Sequence, residues 1–222
     1  MTQEKIPEEV ATKLSLMISI RSEPIVLVAI AGGSCSGKSY FMRCFSNHLT
    51  EQGNSHSLLR LDDYFKDIDD PTLPRDDKRR VIFDSPNSYR HELFLRHLRE
   101  LARGKSVDCP VYDLANNRVV LAESKKVLPQ RIILAEGLHA IRFVELIKKD
   151  RHRFYGVYSI AVFIDASTET RLARRIERDK KLFNVAKELV ENYFFSKVEP
   201  AHQEFIEPQR NLANLIVEDR PS

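Results

Sequence analysis

Gly32-Gly33-Ser34-Cys35-Ser36-Gly37-Lys38-Ser39 has the spacing G-x-x-x-x-G-K-S, the pattern of a phosphate-binding P-loop. Its glycines let the backbone curl until several N–H groups face one anion. Lys38 is placed to reach the terminal phosphates of a nucleoside triphosphate, and the Ser39 hydroxyl to ligate Mg²⁺. The expected cradle for ATP or GTP is therefore Gly32, Gly33, Ser34, Cys35, Ser36, Gly37, Lys38 and Ser39, with Tyr40 behind them. The flanks agree. Residues 25–31 are a bare apolar run of buried-strand type, and residues 39–49 follow with helical spacing. The helix N-terminus would point its positive end at the phosphates. A glycine turn between two core elements is the bland alternative; strand before and helix after argue against it.

Three further apolar runs end in carboxylates: residues 57–61 at Asp62-Asp63, residues 131–135 at Glu136, and residues 159–164 at Asp165. In an open parallel sheet, ligands bind beyond the carboxyl ends of the strands. These acids are thus expected on the same edge as the P-loop, although one alone would read equally well as a cap or turn residue. A basic helix over residues 169–181 carries Arg171, Arg174, Arg175 and Arg178 at i, i+3, i+4 and i+7. A like-charged helix face is unfavourable unless an anion meets it, and a transferring phosphate is such an anion. The alternative is an exposed face paired with Glu169, Glu177 and Asp179. Cys35, beside a helix N-terminus and a lysine, is open to oxidation, and phosphate chemistry does not need it. His139 either lines a second site or packs at the start of a helix.

The remaining chain supplies the scaffold. With 222 residues and 42% hydrophobic content it suits one α/β domain with a full core. The predicted class is a three-layer P-loop sandwich with a mostly parallel sheet, a β-hairpin insertion over about 105–122 and a helical lid over about 169–190. Residues 1–24 are expected to hold a helix (7–20, with Val10, Leu14, Met17 and Ile18 on one face) docked on a domain spanning 25–222. Ser85 and Pro86 are expected to start a helix bearing Leu93, Phe94, His97, Leu98 and Leu101 and ending at Gly104. Asn116-Asn117 is a turn pair for the hairpin. Residues 69–82 read as a mobile surface loop with Lys78-Arg79-Arg80 solvated. A net charge of +3 argues against a nucleic-acid binder. Three cysteines without C-x-x-C spacing suit a reducing, cytoplasmic setting. No apolar stretch approaches the ~20 residues of a membrane span, and the acidic N-terminus is not of signal or transit type.

Six short motifs, in order, resemble those of uridine kinases and the wider phosphoribulokinase-like superfamily. They are Leu61-Asp62-Asp63-Tyr64-Phe65-Lys66-Asp67, Phe83-Asp84-Ser85-Pro86 and Pro110-Val111-Tyr112-Asp113, then Ala135-Glu136-Gly137, residues 171–179 (RLARRIERD) and residues 199–208 (EPAHQEFIEP). The resemblance covers about residues 25–218. It implies an ATP- and Mg²⁺-dependent kinase acting on a small-molecule hydroxyl, the 5′-hydroxyl of uridine or cytidine first. It further implies Asp62 as base and metal neighbour, Ser39 and Glu136 as metal ligands, Asp84 and Tyr112 as acceptor contacts, and Arg174, Arg175 and Arg178 as lid. Arg178 would also touch the acceptor. Homo-oligomers are common in such families. Two departures leave the acceptor open. No R-G-R follows the lid's Arg178-Asp179, and Leu114-Ala115-Asn116-Asn117 stands where uridine kinases carry a base-reading histidine. Another sugar alcohol or a pantothenate-like acceptor is the alternative substrate, and an ATP-binding sensor that transfers nothing is the alternative class.

Overall fold

The computed structural model describes residues 8–149, 152 and 154–218. The first seven residues of the expected N-terminal segment and the last four of the expected domain lie outside these.

The apolar run before the P-loop forms strand β1 (Ile25–Gly32). Its alternate side chains enter two different cores: Leu27, Ala29 and Ala31 one, Val26, Val28 and Ile30 the other. That two-sided burial is what an interior parallel strand requires. Around it, β2 (His56–Arg60), β5 (Ile132–Glu136), β6 (Val157–Asp165) and β7 (Leu215–Glu218) complete a five-stranded sheet ordered β2-β5-β1-β6-β7. Every pairing in it is parallel, with Val28 opposite Leu134 on one side and Ile160 on the other. Strand β7 escapes sequence reading because only Leu215 and Val217 of its four residues turn inward.

Helices α1 (Glu8–Ser19) and α2 (Lys38–Glu51) cover one face, where Ala11, Leu14 and Ile18 meet Phe41, Phe45 and Leu49. Helices α3 (His91–Ala102) and α4 (Ala140–Lys149) cover the other, through Phe94, Leu98, Phe143 and Val144. Strands β3 (Val107–Asp113) and β4 (Arg118–Val127) form the separate hairpin, longer than expected at its far end, with Asn117 at φ +51° in its turn. Beyond β6 follow α5 (Thr168–Phe183) and α6 (Lys187–Tyr193), and then helical turns through Leu212 in which α7 (Glu199–Ala201) lies between two π-type turns. No helix among the described residues is long and apolar enough to cross a membrane.

Two local expectations are corrected. Ser85 caps only a single 3₁₀ turn, Pro86–Ser88, accepting from the Asn87 N–H at 3.3 Å. The chain then extends through Tyr89, and α3 starts afresh at His91. Extension at Tyr89 lets Phe65 and Tyr89 form an antiparallel bridge, and their rings stack at 4.2 Å. The stretch 69–82 is a folded turn built on Asp76, which accepts from the Lys78 and Arg80 N–H groups and pairs with the side chains of Arg80 and Lys197. Leu73 and Val81 are buried, so the segment packs on the domain, while Lys78, Arg79 and Arg80 are exposed as expected.

Candidate active site

The P-loop links β1 to α2, and close packing explains its glycines. A Cβ on Gly32 would lie 2.4 Å from the Ile164 carbonyl oxygen of β6, and one on Gly33 2.5 Å from Cδ of Arg171. Cys35 (φ +61°) and Gly37 (φ +97°) take left-handed conformations that turn the loop over. The Phe41 N–H bonds to Gly37 O, so the N–H groups of Lys38 and Ser39 lie ahead of the helix's own ladder. Lys38 is buried and donates through Nζ to the Gly33 carbonyl at 2.6 Å. Burial lowers its pKa, while the charges of Glu136 and Asp62 pull in the opposite direction.

Strand order brings the acids to this loop. β5 lies between β1 and β2, so Glu136 at the end of β5 and Asp62 just past β2 flank the P-loop on one sheet edge. Glu136 is 1% exposed, accepts from Ser39 Oγ at 3.0 Å and lies 3.6 Å from Arg60. Burial and then the Asp62 charge raise its pKa; Lys38, Arg60 and Ser39 oppose the rise. Asp63 turns away from the cavity toward Arg60 and Lys125. Asp165 does not join the acids at the cavity. It pairs with Arg210 at 3.1 Å, because β6 ends beside the C-terminal turns.

A cavity of about 460 Å³ opens in front of this edge. Its P-loop wall holds Ser34, Cys35, Gly37, Lys38, Ser39 and Tyr40; Gly32, Gly33 and Ser36 do not line it. Asp62, Asp84 and Tyr112 lie on the same wall system, with Phe65 and Phe83 between them. Asp84 is 9% exposed; burial raises its pKa and the charges of Arg175, Lys38 and Arg178 counter it. Its backbone carbonyl meets His139 Nε2 at 2.8 Å. His139 itself is fully buried against Tyr89 and Phe143, which decides between its two readings: it packs, and braces Asp84 from behind. Burial lowers its pKa to about 4. The Tyr112 hydroxyl donates to the Lys66 carbonyl at 3.2 Å, and the residue lines the cavity.

Helix α5 supplies the cationic wall. Arg174, Arg175 and Arg178 line the cavity, and Arg175 Nη1 donates to Ser34 Oγ at 2.9 Å. Asp179 pairs with both Arg175 (3.3 Å) and Arg178 (2.8 Å), so part of the exposed-face alternative also holds. Arg171 departs from the expected four-arginine face. It is 1% exposed and paired with Glu199 at 2.6 Å, turned under the loop rather than into the cavity. Sequence reading missed Leu182 and Phe183, which extend the cavity wall along α5; Tyr193 also lines the cavity, its ring 5.5 Å from the Arg175 guanidinium. Position was the available signal, since residues 182 and 183 follow Arg175 at i+7 and i+8, on one helix face.

The oxygen set suits a hard divalent cation: the Ser39 hydroxyl, with the carboxylates of Glu136 and Asp62 near it. No group of three acidic, histidine or cysteine side chains among the described residues could hold a metal unaided. That fits an ion whose remaining ligands come from nucleotide phosphates and water.

Residues 27–222 match the model of the Phosphoribulokinase / Uridine kinase family. A uridine kinase of Leuconostoc citreum (strain KM20) is 32% identical over 88% of this chain and 87% of its own length. One of Ligilactobacillus salivarius (strain UCC118) is 30% identical over 89% and 86%. Among solved structures, a candidate fructose transport system kinase from Silicibacter sp. TM1040 superposes with a TM-score of 0.70 at 19% identity, covering 94% of this chain and 97% of that one. D-glycerate 3-kinase from Cryptococcus neoformans gives 0.61 at 14%, covering 90% and 88%; both show the fold. The chain belongs to the phosphoribulokinase / uridine kinase family and is accordingly a phosphotransferase with a hydroxyl group as acceptor.

Proposed function

We propose that the protein transfers the γ-phosphate of ATP to the 5′-hydroxyl of a nucleoside, uridine or cytidine first. The observation carrying this reading is that Asp62 and Asp84 share one cavity with Lys38 and Ser39. A base, a diol-binding carboxylate and a phosphate cradle thus face the same space. Phosphoryl transfer asks mainly for positioning and charge stabilisation. Loop N–H groups and Lys38 would hold the donor phosphates. Arg174, Arg175 and Arg178 would meet the charge on the moving phosphoryl group. Asp62 would accept the acceptor's hydroxyl proton as the new O–P bond forms and the bond to the leaving ADP breaks. Asp84 can accept two hydrogen bonds from a ribose cis-diol. Mg²⁺, held by Ser39, Glu136 and Asp62, would supply neutralisation of phosphate charge.

A second acceptor class is favoured by one observation. The hairpin end of the cavity presents Leu114 and a single amide, Asn117, with no histidine to read a base edge. Another sugar alcohol or a pantothenate-like acceptor would suit that wall. ADP release should be measured with MgATP and MgGTP against nucleosides, ribulose phosphate and pantothenate. Turnover with uridine or cytidine well above the ATPase background supports the leading reading. Turnover with only a non-nucleoside replaces the acceptor, and ATP binding without turnover on any acceptor favours a sensor.

A further inference from the structure

Arg171 stands apart from the other arginines of α5. Its Nη2 donates to Glu199 Oε2 at 2.6 Å and to Thr168 Oγ1 at 3.2 Å, and its Nε donates to the Ala166 carbonyl at 3.3 Å. The guanidinium also lies 5.6 Å from the Phe194 ring centre. Its aliphatic stem lies so close to Gly33 that no side chain fits between them. Gly33, in turn, offers the carbonyl that receives Lys38 Nζ at 2.6 Å and the Ser36 N–H at 3.1 Å. An unbroken line of contact therefore runs from Glu199 through Arg171 and Gly33 to Lys38.

We propose that Arg171, held by Glu199, is a positioning residue for the donor site: it fixes the Gly33 peptide and hence the point from which Lys38 meets the phosphates. Stability alone is a poor reason for such a pair, because desolvating two charges offsets most of their attraction. A fixed guanidinium geometry, by contrast, is well suited to setting a backbone position. Glu199 is built to stay ionised. Burial works against its charge, but hydrogen bonds from Gln203 and Arg171 hold its carboxyl below the usual range. Gln203 donates to the second carboxylate oxygen at 2.8 Å, which keeps the first aimed at Arg171. The two residues sit on different elements, α5 and the C-terminal turns, so the pair ties the end of the chain to the loop that starts the domain.

The inference rests on the donor-site reading above. The test is the dissociation constant of MgATP, with the acceptor KM as reference, in Arg171→Met, Glu199→Gln and the double variant. Arg171→Met leaves the half-buried Glu199 without its cation; the double variant removes that penalty. If Arg171 positions the loop, the double variant still binds ATP about tenfold more weakly while the acceptor KM stays within twofold. ATP binding restored to the wild-type value in the double variant means a structural pair only, and overturns the proposal. Should the double variant not fold, Glu199→Gln alone decides: ATP binding weakened about threefold supports the proposal, and unchanged binding overturns it. Lys38→Ala separates the two readings. If that change leaves ATP binding intact, it is the donor-site assignment that fails.

Discussion

Ser39 and Glu136 lie 97 residues apart in the chain, yet the Ser39 hydroxyl donates to Glu136 Oε1 at 3.0 Å. The bond joins the first turn of α2 to the end of β5, so the P-loop and the acidic strand end form one unit. Ser39→Ala and Glu136→Gln are each expected to raise the Mg²⁺ concentration for half-maximal turnover about tenfold, with Ser39→Thr close to wild type. A magnesium titration at saturating ATP checks this. Unchanged magnesium dependence in both variants would remove the pair from metal binding.

Asp62 borders the cavity beside Glu136 and Lys38. If it takes the acceptor proton, Asp62→Asn keeps shape and loses basicity. Turnover should fall by about 10²–10⁴-fold, with MgATP affinity within a few fold of wild type. Single-turnover phosphate transfer and ATP binding measured on the same preparation decide the matter; a kcat near wild type excludes Asp62 as base.

Asp84 should set a pH limb on acceptor binding. Burial raises its pKa, and Arg175, Lys38 and Arg178 moderate the rise. The carboxylate is the form that accepts hydrogen bonds from a diol. Acceptor KM is therefore expected to climb as pH falls through this raised pKa, above the range of an ordinary aspartate. In Asp84→Asn the limb disappears, KM rises on the order of tenfold to a hundredfold, and the preference for ribo- over 2′-deoxynucleosides shrinks. Profiles of kcat/KM against pH for both sugars test each part. An unchanged acid limb in the variant would assign it to another group.

Sequence carried the P-loop side of this cavity further than the side around Asp84 and Tyr112, for a physical reason. The P-loop is a local structure, and eight consecutive residues fix its geometry, so Gly32 to Ser39 were readable as a unit. Asp62 and Glu136 were readable because a parallel sheet sends its strand ends to one edge. Asp165 obeys the same rule and still misses the cavity, since its partner Arg210 comes from turns that no period announces. Arg171 shows the limit of helical spacing. Its spacing predicts a face shared with Arg174, Arg175 and Arg178, yet Glu199, 28 residues later, draws it inward. The break at Tyr89 was hidden for a similar reason: Ser85-Pro86 is a sound helix start, and only pairing with Phe65 ends that turn early.

His139 links fold stability to pH behind Asp84. It is fully buried, meets the Asp84 carbonyl at 2.8 Å, and burial holds its pKa down to about 4 against the ordinary 6.5. The folded state thus favours the neutral ring, whereas the unfolded chain takes a proton below pH 6.5. Stability from this group is fully present above pH 6.5 and is lost as pH falls toward 4, up to about 3 kcal/mol for a shift of this size. His202, held down to about 4 by burial, acts with the same sign. Asp84 and Glu136, with raised values, act with the opposite sign, so the informative quantity is the difference between variant and wild type. His139→Asn is expected to be less stable at pH 7.5, and the gap should narrow between pH 6.5 and 4.5 because the variant has no buried ring to protonate. Urea denaturation at pH 7.5, 6.0 and 5.0 measures it. A gap that stays constant would mean that His139 titrates alike in the folded and unfolded chain, and that burial does not hold its ring neutral.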